Sequence, residues 1–108
     1  MEPLVFEHDD VHLRVDHGIF ELFRRNRTIG SYRAPLNWLK VRTETRKNGV
    51  TRLHFGNIAH LDEPLYAPKT QPGHLLATIE IPTADEPLYR AYFTGLARLS
   101  DRPIVTQP

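Results

Sequence analysis

Two stretches of strict alternation constrain what this chain can become. Val11, Leu13 and Val15 alternate with His12, Arg14 and Asp16, the period-two pattern of a strand with one buried face. His17-Gly18 follows as a two-residue turn, which sets Leu13 opposite Leu22, Val15 opposite Phe20 and, on the other face, Arg14 opposite Glu21. The second stretch spans 38–56, with Leu39, Val41 and Thr43 on one arm and Thr51, Leu53 and Phe55 on the other. Both inward sets are odd-numbered, so the turn holds an odd number of residues. Lys47-Asn48-Gly49 supplies three, with Gly49 in the left-handed position. Thr43 then pairs with Thr51 or Leu53 depending on loop detail; if Arg46 faces Val50, Thr43 faces Leu53, Glu44 faces Arg52 and Arg42 faces His54. The outer face then carries Trp38, Lys40, Arg42 and Arg52 together. A lone hairpin is marginal in water, so further strands must complete the sheet.

The remaining segments supply them. A third strand is read at 28–33, after a loop at Arg24-Arg25-Asn26-Arg27, and another at 74–82, where Leu75, Ala77, Ile79 and Ile81 alternate before Pro82. Between them, 59–73 contains Pro64, Pro68, Pro72 and Gly73 and reads as a long loop with one helical turn near Asp62. A helix is predicted over about 86–100, capped by Asp85 or by a Thr83/Glu86 box, with Pro87 tolerated in the first turn. Its expected buried stripe is Leu88, Tyr92, Gly95, Leu96 and Leu99, flanked by Tyr89 and Phe93. Gly95 in that stripe suggests close approach to a strand. Asp-Glu-Pro-Leu-Tyr occurs at 62–66 and 85–89, but the flanks differ, and both copies read as helix-start chemistry.

With 108 residues, 40% hydrophobic and 25% charged, the chain has one core and the composition of an ordinary globular domain. Residues 1–102 are read as that domain and 103–108, with two prolines and no period, as a frayed tail. There is no cysteine, hence no disulfide framework and no thiol nucleophile, which fits a reducing cytosol. The acidic start lacks a basic region followed by an apolar one, and no apolar run approaches ~20 residues. A cytoplasmic location is the expectation. Ser31 and Ser100 lie in no nucleophile elbow, and the glycines form no phosphate-cradling loop. No enzyme chemistry and no cofactor are therefore expected. His8, Asp10 and His12 would share a strand face if the first strand extended back that far. That spacing is also what a solvated face yields, so no metal is assigned to it.

Charge is unevenly distributed. Residues 1–23 carry six acids and one base, residues 24–52 nine bases and one acid, and residues 53–108 six acids and four bases. The net charge of +1 thus hides a block at +8 beside one at −5, and such a local field speaks about partners. Arg24, Arg25 and Arg27 form one loop cluster, Arg46 and Lys47 another, with Lys40, Arg42 and Arg52 between. Solvated edges that discourage strand-to-strand aggregation present the same pattern. Trp38 has the parity of Lys40 and Arg42. A lone tryptophan in a small domain is expected in the core or against the helix, and Pro35 offers a bulge to turn it inward. Exposed, it would suit a bilayer interface or a base.

Strands followed by one amphipathic helix make an α+β domain, a bent antiparallel sheet or small β-barrel closed by that C-terminal helix. The run Arg33-Ala34-Pro35-Leu36-Asn37-Trp38-Leu39-Lys40-Val41 and the ending Pro87-Leu88-Tyr89-Arg90-Ala91-Tyr92-Phe93 carry this pattern, which resembles the small bacterial pleckstrin-homology-like (PH-like) domains. The resemblance implies a helix plugging one end of a barrel, and ligands that in some relatives are acidic lipid headgroups or protein segments. The basic loop spacing of phosphoinositide binders is absent from Arg24-Arg25-Asn26-Arg27. The expected function is a non-enzymatic binding or scaffold module that docks an acidic protein partner or self-associates. Its expected contact residues are Arg24, Arg25, Arg27, Trp38, Lys40, Arg42, Arg46, Lys47 and Arg52. Peripheral binding to anionic lipid through these residues is the alternative, and nucleic-acid binding through the basic hairpin the second alternative.

Overall fold

The alternation and the left-handed turn at 17–18 produce the first hairpin as expected. The computed structural model describes residues 4–24, 31–60, 62–68 and 75–105. Strands β1 (Leu4–His8), β2 (Val11–Asp16), β3 (Ile19–Arg24) and β4 (Tyr32–Pro35) form an antiparallel sheet in that order. β2 and β3 pair Leu13 with Leu22, Arg14 with Glu21 and Val15 with Phe20. His17 and Gly18 have φ of 53° and 77°, the positive pair that a two-residue loop needs to follow the strand twist.

The second sheet contains β5 (Leu39–Thr45), β6 (Val50–Asn57), β7 (Tyr66–Pro68) and β8 (Leu75–Pro82), in the spatial order β7-β5-β6-β8. Of the two registers left open, β5 and β6 take the one with Arg42 opposite His54, Thr43 opposite Leu53 and Glu44 opposite Arg52. The turn closes with Arg46 N–H donating to the Val50 carbonyl at 2.7 Å and with Gly49 at φ 78°. Only β7 runs parallel to its neighbour, β5.

Several expectations are corrected. The segment before Val11 is a strand in its own right, joined to β2 by a turn at Asp9-Asp10, so His8, Asp10 and His12 do not share one strand face. The third strand falls at Tyr32–Pro35, and 28–30 lie outside the described residues. The proline-rich loop contains β7. Pro103–Val105 do not fray: the Leu65 amide donates to the Pro103 carbonyl at 2.9 Å and the Val105 amide to the Tyr66 carbonyl at 2.7 Å. No strand pairing joins the two sheets among the described residues, so the domain is a pair of sheets, not a closed barrel.

The core lies between them. Phe20 of the first sheet, Phe55 of the second and Phe93 of the helix meet with ring centroids 5.9–6.2 Å apart. The helix α1 (Glu86–Leu99) follows a 3₁₀ turn at Thr83–Asp85 and buries Tyr89, Phe93, Leu96 and Ala97. The expected stripe was displaced by one residue: Leu88 and Leu99 are exposed. The larger aromatic pair takes the core because it removes more apolar area from water. Asp85 makes no cap bond. Its carboxylate receives His8 Nε2 at 2.9 Å, while the Thr83 hydroxyl bonds that of Thr51 at 2.9 Å.

Gly95 is exposed, and a Cβ built there meets nothing within 4 Å, contrary to the close approach expected of it. Gly95→Ala should therefore stabilise the protein by about 0.5–1 kcal/mol through helix propensity alone, read as a higher urea midpoint at unchanged slope. A lower midpoint would mean that the helix packs through that face.

Candidate docking surface around Trp38

Among the described residues, the basic side chains singled out from the sequence do not assemble into one patch. Arg24 is bound by both oxygens of Asp10, at 3.0 and 3.2 Å, and its side chain is nearly buried. Arg25 and Arg27 lie outside the described residues. Arg46 pairs with Glu44 at 2.9 Å and Arg52 with Glu80 at 3.0 Å, while Lys47 stands exposed in the hairpin turn. Glu44 faces Arg52 in register and bonds His54 and Arg46. At ~3.3 Å per residue, the eight positions from Trp38 along β5 to Arg46 span roughly 25 Å. The expected outer face of Trp38, Lys40, Arg42 and Arg52 is likewise broken. Lys40 is buried, and Trp38 precedes the strand on a 3₁₀ turn, Leu36–Trp38, where strand parity does not apply.

That turn reverses the expectation for the indole. Leu36, not Trp38, enters the core, and Trp38 is 56% exposed. The turn is held on three sides. The Leu36 amide donates to the Gly18 carbonyl and the Ile58 amide to the Trp38 carbonyl, both at 2.8 Å. Arg102, just past the helix, reaches under the turn: Nη1 donates to the carbonyls of Leu36 at 3.3 Å and Leu39 at 2.5 Å, and Nη2 to that of Glu63 at 3.2 Å.

Two depressions lie along the Leu36–Trp38 turn, and Trp38 lines one of them. One, of about 470 Å³, is lined by Leu4, Val15, Pro35, Leu36 and Leu99 with Asp16 and Ser100 at its polar edge. The other, of about 390 Å³, lies between Trp38 and the segment Asn57–His60. A pre-positioned aromatic beside an apolar hollow is the form of an interface anchor.

Beneath the turn, three cations face one carboxylate. Lys40 Nζ lies 3.9 Å from Glu63 Oε1, Arg42 donates to the carbonyls of Val41 and Pro64, both at 3.0 Å, and Arg102 bonds as above. Both guanidiniums bind their protons less tightly than usual, first because of burial, yet remain charged at any physiological pH. The local sum is +2. Burial pushes the Glu63 carboxyl up, but the amides of Ala59 and His60, then Lys40 and Arg42, outweigh it and hold it below the ordinary value of 4.5. A depressed carboxyl contributes stability above its unfolded value that is lost as pH falls through the folded value. Urea midpoints taken downward from pH 6 should therefore fall below pH ~4.5 more steeply for the native chain than for Glu63→Gln. Parallel curves would remove Glu63 from the support of this loop.

Glu63, Arg102 and the hollow at Leu36 were not anticipated, since each acts through contacts distant in sequence. Comparisons of the chain with protein-family models, curated proteins and solved structures give no match in any of the three.

Proposed function

We propose that this protein is a non-enzymatic binding module of PH-like form that docks an acidic segment of a protein partner on the Trp38 turn. Two sheets closed by a C-terminal helix support the PH-like form, and no helix among the described residues is long and apolar enough to cross a membrane. The observation that carries the reading is the exposed indole on a hydrogen-bonded turn, lining one hollow itself and following Leu36 and Asn37, which line a second. An anchor already held in place costs little ordering entropy on binding. The excess of Lys40, Arg42 and Arg102 over Glu63 favours an acidic partner.

A protein segment suits this surface better than a bilayer. Lys40 is buried, and Arg42 and Arg102 are half-buried and turned toward backbone carbonyls, whereas headgroup binding calls for extended, surface-lying lysines and arginines. Single-stranded nucleic acid calls for successive stacking platforms, and Phe23, the other exposed aromatic among the described residues, sits on the first sheet against His12.

Selection of displayed random peptides on the native chain tests the reading. Acidic peptides with an apolar anchor should be enriched, and Trp38→Ala should weaken them about 30-fold, the equivalent of ~2 kcal/mol at an interface hot spot. No enrichment, or peptides indifferent to the substitution, would overturn it. So would a blue shift of Trp38 emission on anionic vesicles without any peptide binding, or a dimer in sedimentation velocity that Trp38→Ala dissociates. The first would put lipid in place of the protein partner and the second a second copy of this chain.

A further inference from the structure

At the end of the molecule away from Trp38, three segments bring together ligand atoms that no catalytic or docking role uses. His8 ends β1, Asp9 opens the following turn, and Asp85 immediately precedes α1. His8 Nε2 lies 2.9 Å from Asp85 Oδ2 and 3.6 Å from Asp9 Oδ2, and the three ligand atoms fall within 4.8 Å of one another. A tetrahedral ion bound at about 2.0–2.1 Å by nitrogen and oxygen sets its ligand atoms roughly 3.3–3.4 Å apart. The two His8 separations bracket that value. We infer that His8, Asp9 and Asp85 form a binding site for a divalent transition-metal ion of the zinc type, with a fourth position left to water.

Three further observations support the assignment. Asp85 stands at the helix N-cap, where aspartate ordinarily bonds a first-turn amide, yet it makes no cap bond and gives its carboxylate to His8. The neighbouring candidates are engaged elsewhere: Asp10 with Arg24 and His12 with Glu7 at 2.8 Å. Asp9 and Asp85, both within 3.6 Å of the His8 imidazole, bring two negative charges for a dication to offset. One imidazole with two carboxylates and no thiolate suits Zn²⁺, Co²⁺, Ni²⁺ or Mn²⁺ better than the all-oxygen shells preferred by Mg²⁺ and Ca²⁺. Bound there, the ion would tie β1 to the helix start across 77 positions of sequence.

The test uses the full chain, stripped with a chelator and titrated with Co²⁺ as a spectroscopic stand-in for Zn²⁺. One equivalent should produce a visible ligand-field band, and Zn²⁺ should raise the melting temperature. Both responses should weaken at least ~10-fold in metal concentration for His8→Gln and for Asp9→Asn, since losing one of three ligands costs at least what losing a supporting partner costs. Asp9→Asn is the variant that leaves the fold intact: the side chain is 70% exposed, and asparagine tolerates the φ of 52°. No band and no thermal shift would overturn the assignment. Binding undiminished in both variants would also overturn it and place the ion on other histidines among the six in the chain. Trp38→Ala should bind Co²⁺ like the native chain, so this result stands apart from the docking surface.

Discussion

Phe93→Ala should destabilise the protein by about 3–5 kcal/mol, the cost of truncating a fully buried phenylalanine to leave a cavity. Phe93 has no exposed surface and is the point where the three layers meet. Its ring lies 6.2 Å from Phe20, 6.0 Å from Phe55 and 5.4 Å from both Tyr66 and Tyr92. These aromatics come from both sheets and from the helix itself, so the cavity cannot be closed by moving one neighbour. A domain of this length has a total stability of roughly 5–15 kcal/mol, and the variant should be partly unfolded at 37 °C. Leu88→Ala is the matching control. Leu88 belongs to the stripe expected from the sequence but is 49% exposed, and its truncation should cost less than about 1 kcal/mol. Urea unfolding of the pair fixes the rotational setting of the helix: equal losses, or a larger loss at Leu88, would show the other face inside.

Arg102→Ala should cost about 2–4 kcal/mol, because charge-assisted hydrogen bonds to three backbone carbonyls disappear together and leave those carbonyls without their cation. The three acceptors belong to Leu36, Leu39 and Glu63, so one side chain fastens the Trp38 turn, the start of β5 and the segment at Glu63 to the chain beyond the helix. Arg102→Lys should recover little of the loss, since an ammonium lacks the planar fork that spans separate acceptors. Beyond stability, the variant should free the turn: backbone amides of 36–39 and 58 should exchange faster with solvent while those of β2 and β3 keep their protection. Uniform loss of protection would show a general destabilisation instead of a local clamp.

What could be read from the sequence follows the range of the interactions involved. The first hairpin was legible to the residue, and the second up to a choice of register, because alternation, a two- or three-residue turn and a left-handed glycine all act locally and agree. β1 was not, because Leu4-Val5-Phe6 is an apolar run without alternation and Asp9-Asp10 lacks the glycine that marks a hairpin turn. β7 was hidden for a different reason: three residues among prolines become a strand only through parallel pairing with β5, a contact formed across about 25 positions. The helix was placed correctly but turned by one residue, since Leu88, Tyr92 and Leu99 make as good an apolar line as Tyr89, Phe93 and Leu96. Which line is buried depends on the aromatic sockets offered by Phe20 and Phe55.

The site was less legible than the fold. Counting charges along the chain located the basic block but not its counter-ions. Asp10, Glu63 and Glu80 come from other elements and neutralise Arg24, Lys40 and Arg52 only after folding. Trp38 was singled out for its type, but its strand parity was extended one element too far, across a 3₁₀ turn that begins after Pro35. Arg102 carries no sequence signal at all: an arginine past a helix end is ordinary until its guanidinium is seen under the turn.

Trp38 is the only tryptophan in the chain, so its fluorescence reports on the proposed docking surface alone. The direct measurement is the emission spectrum of the free protein with acrylamide quenching, native and in denaturant. Native emission at the long-wavelength position of a hydrated indole, quenched nearly as efficiently as in the unfolded chain, is the expected result. Blue-shifted native emission shielded from acrylamide would place Trp38 in the interior and contradict the docking surface at its centre.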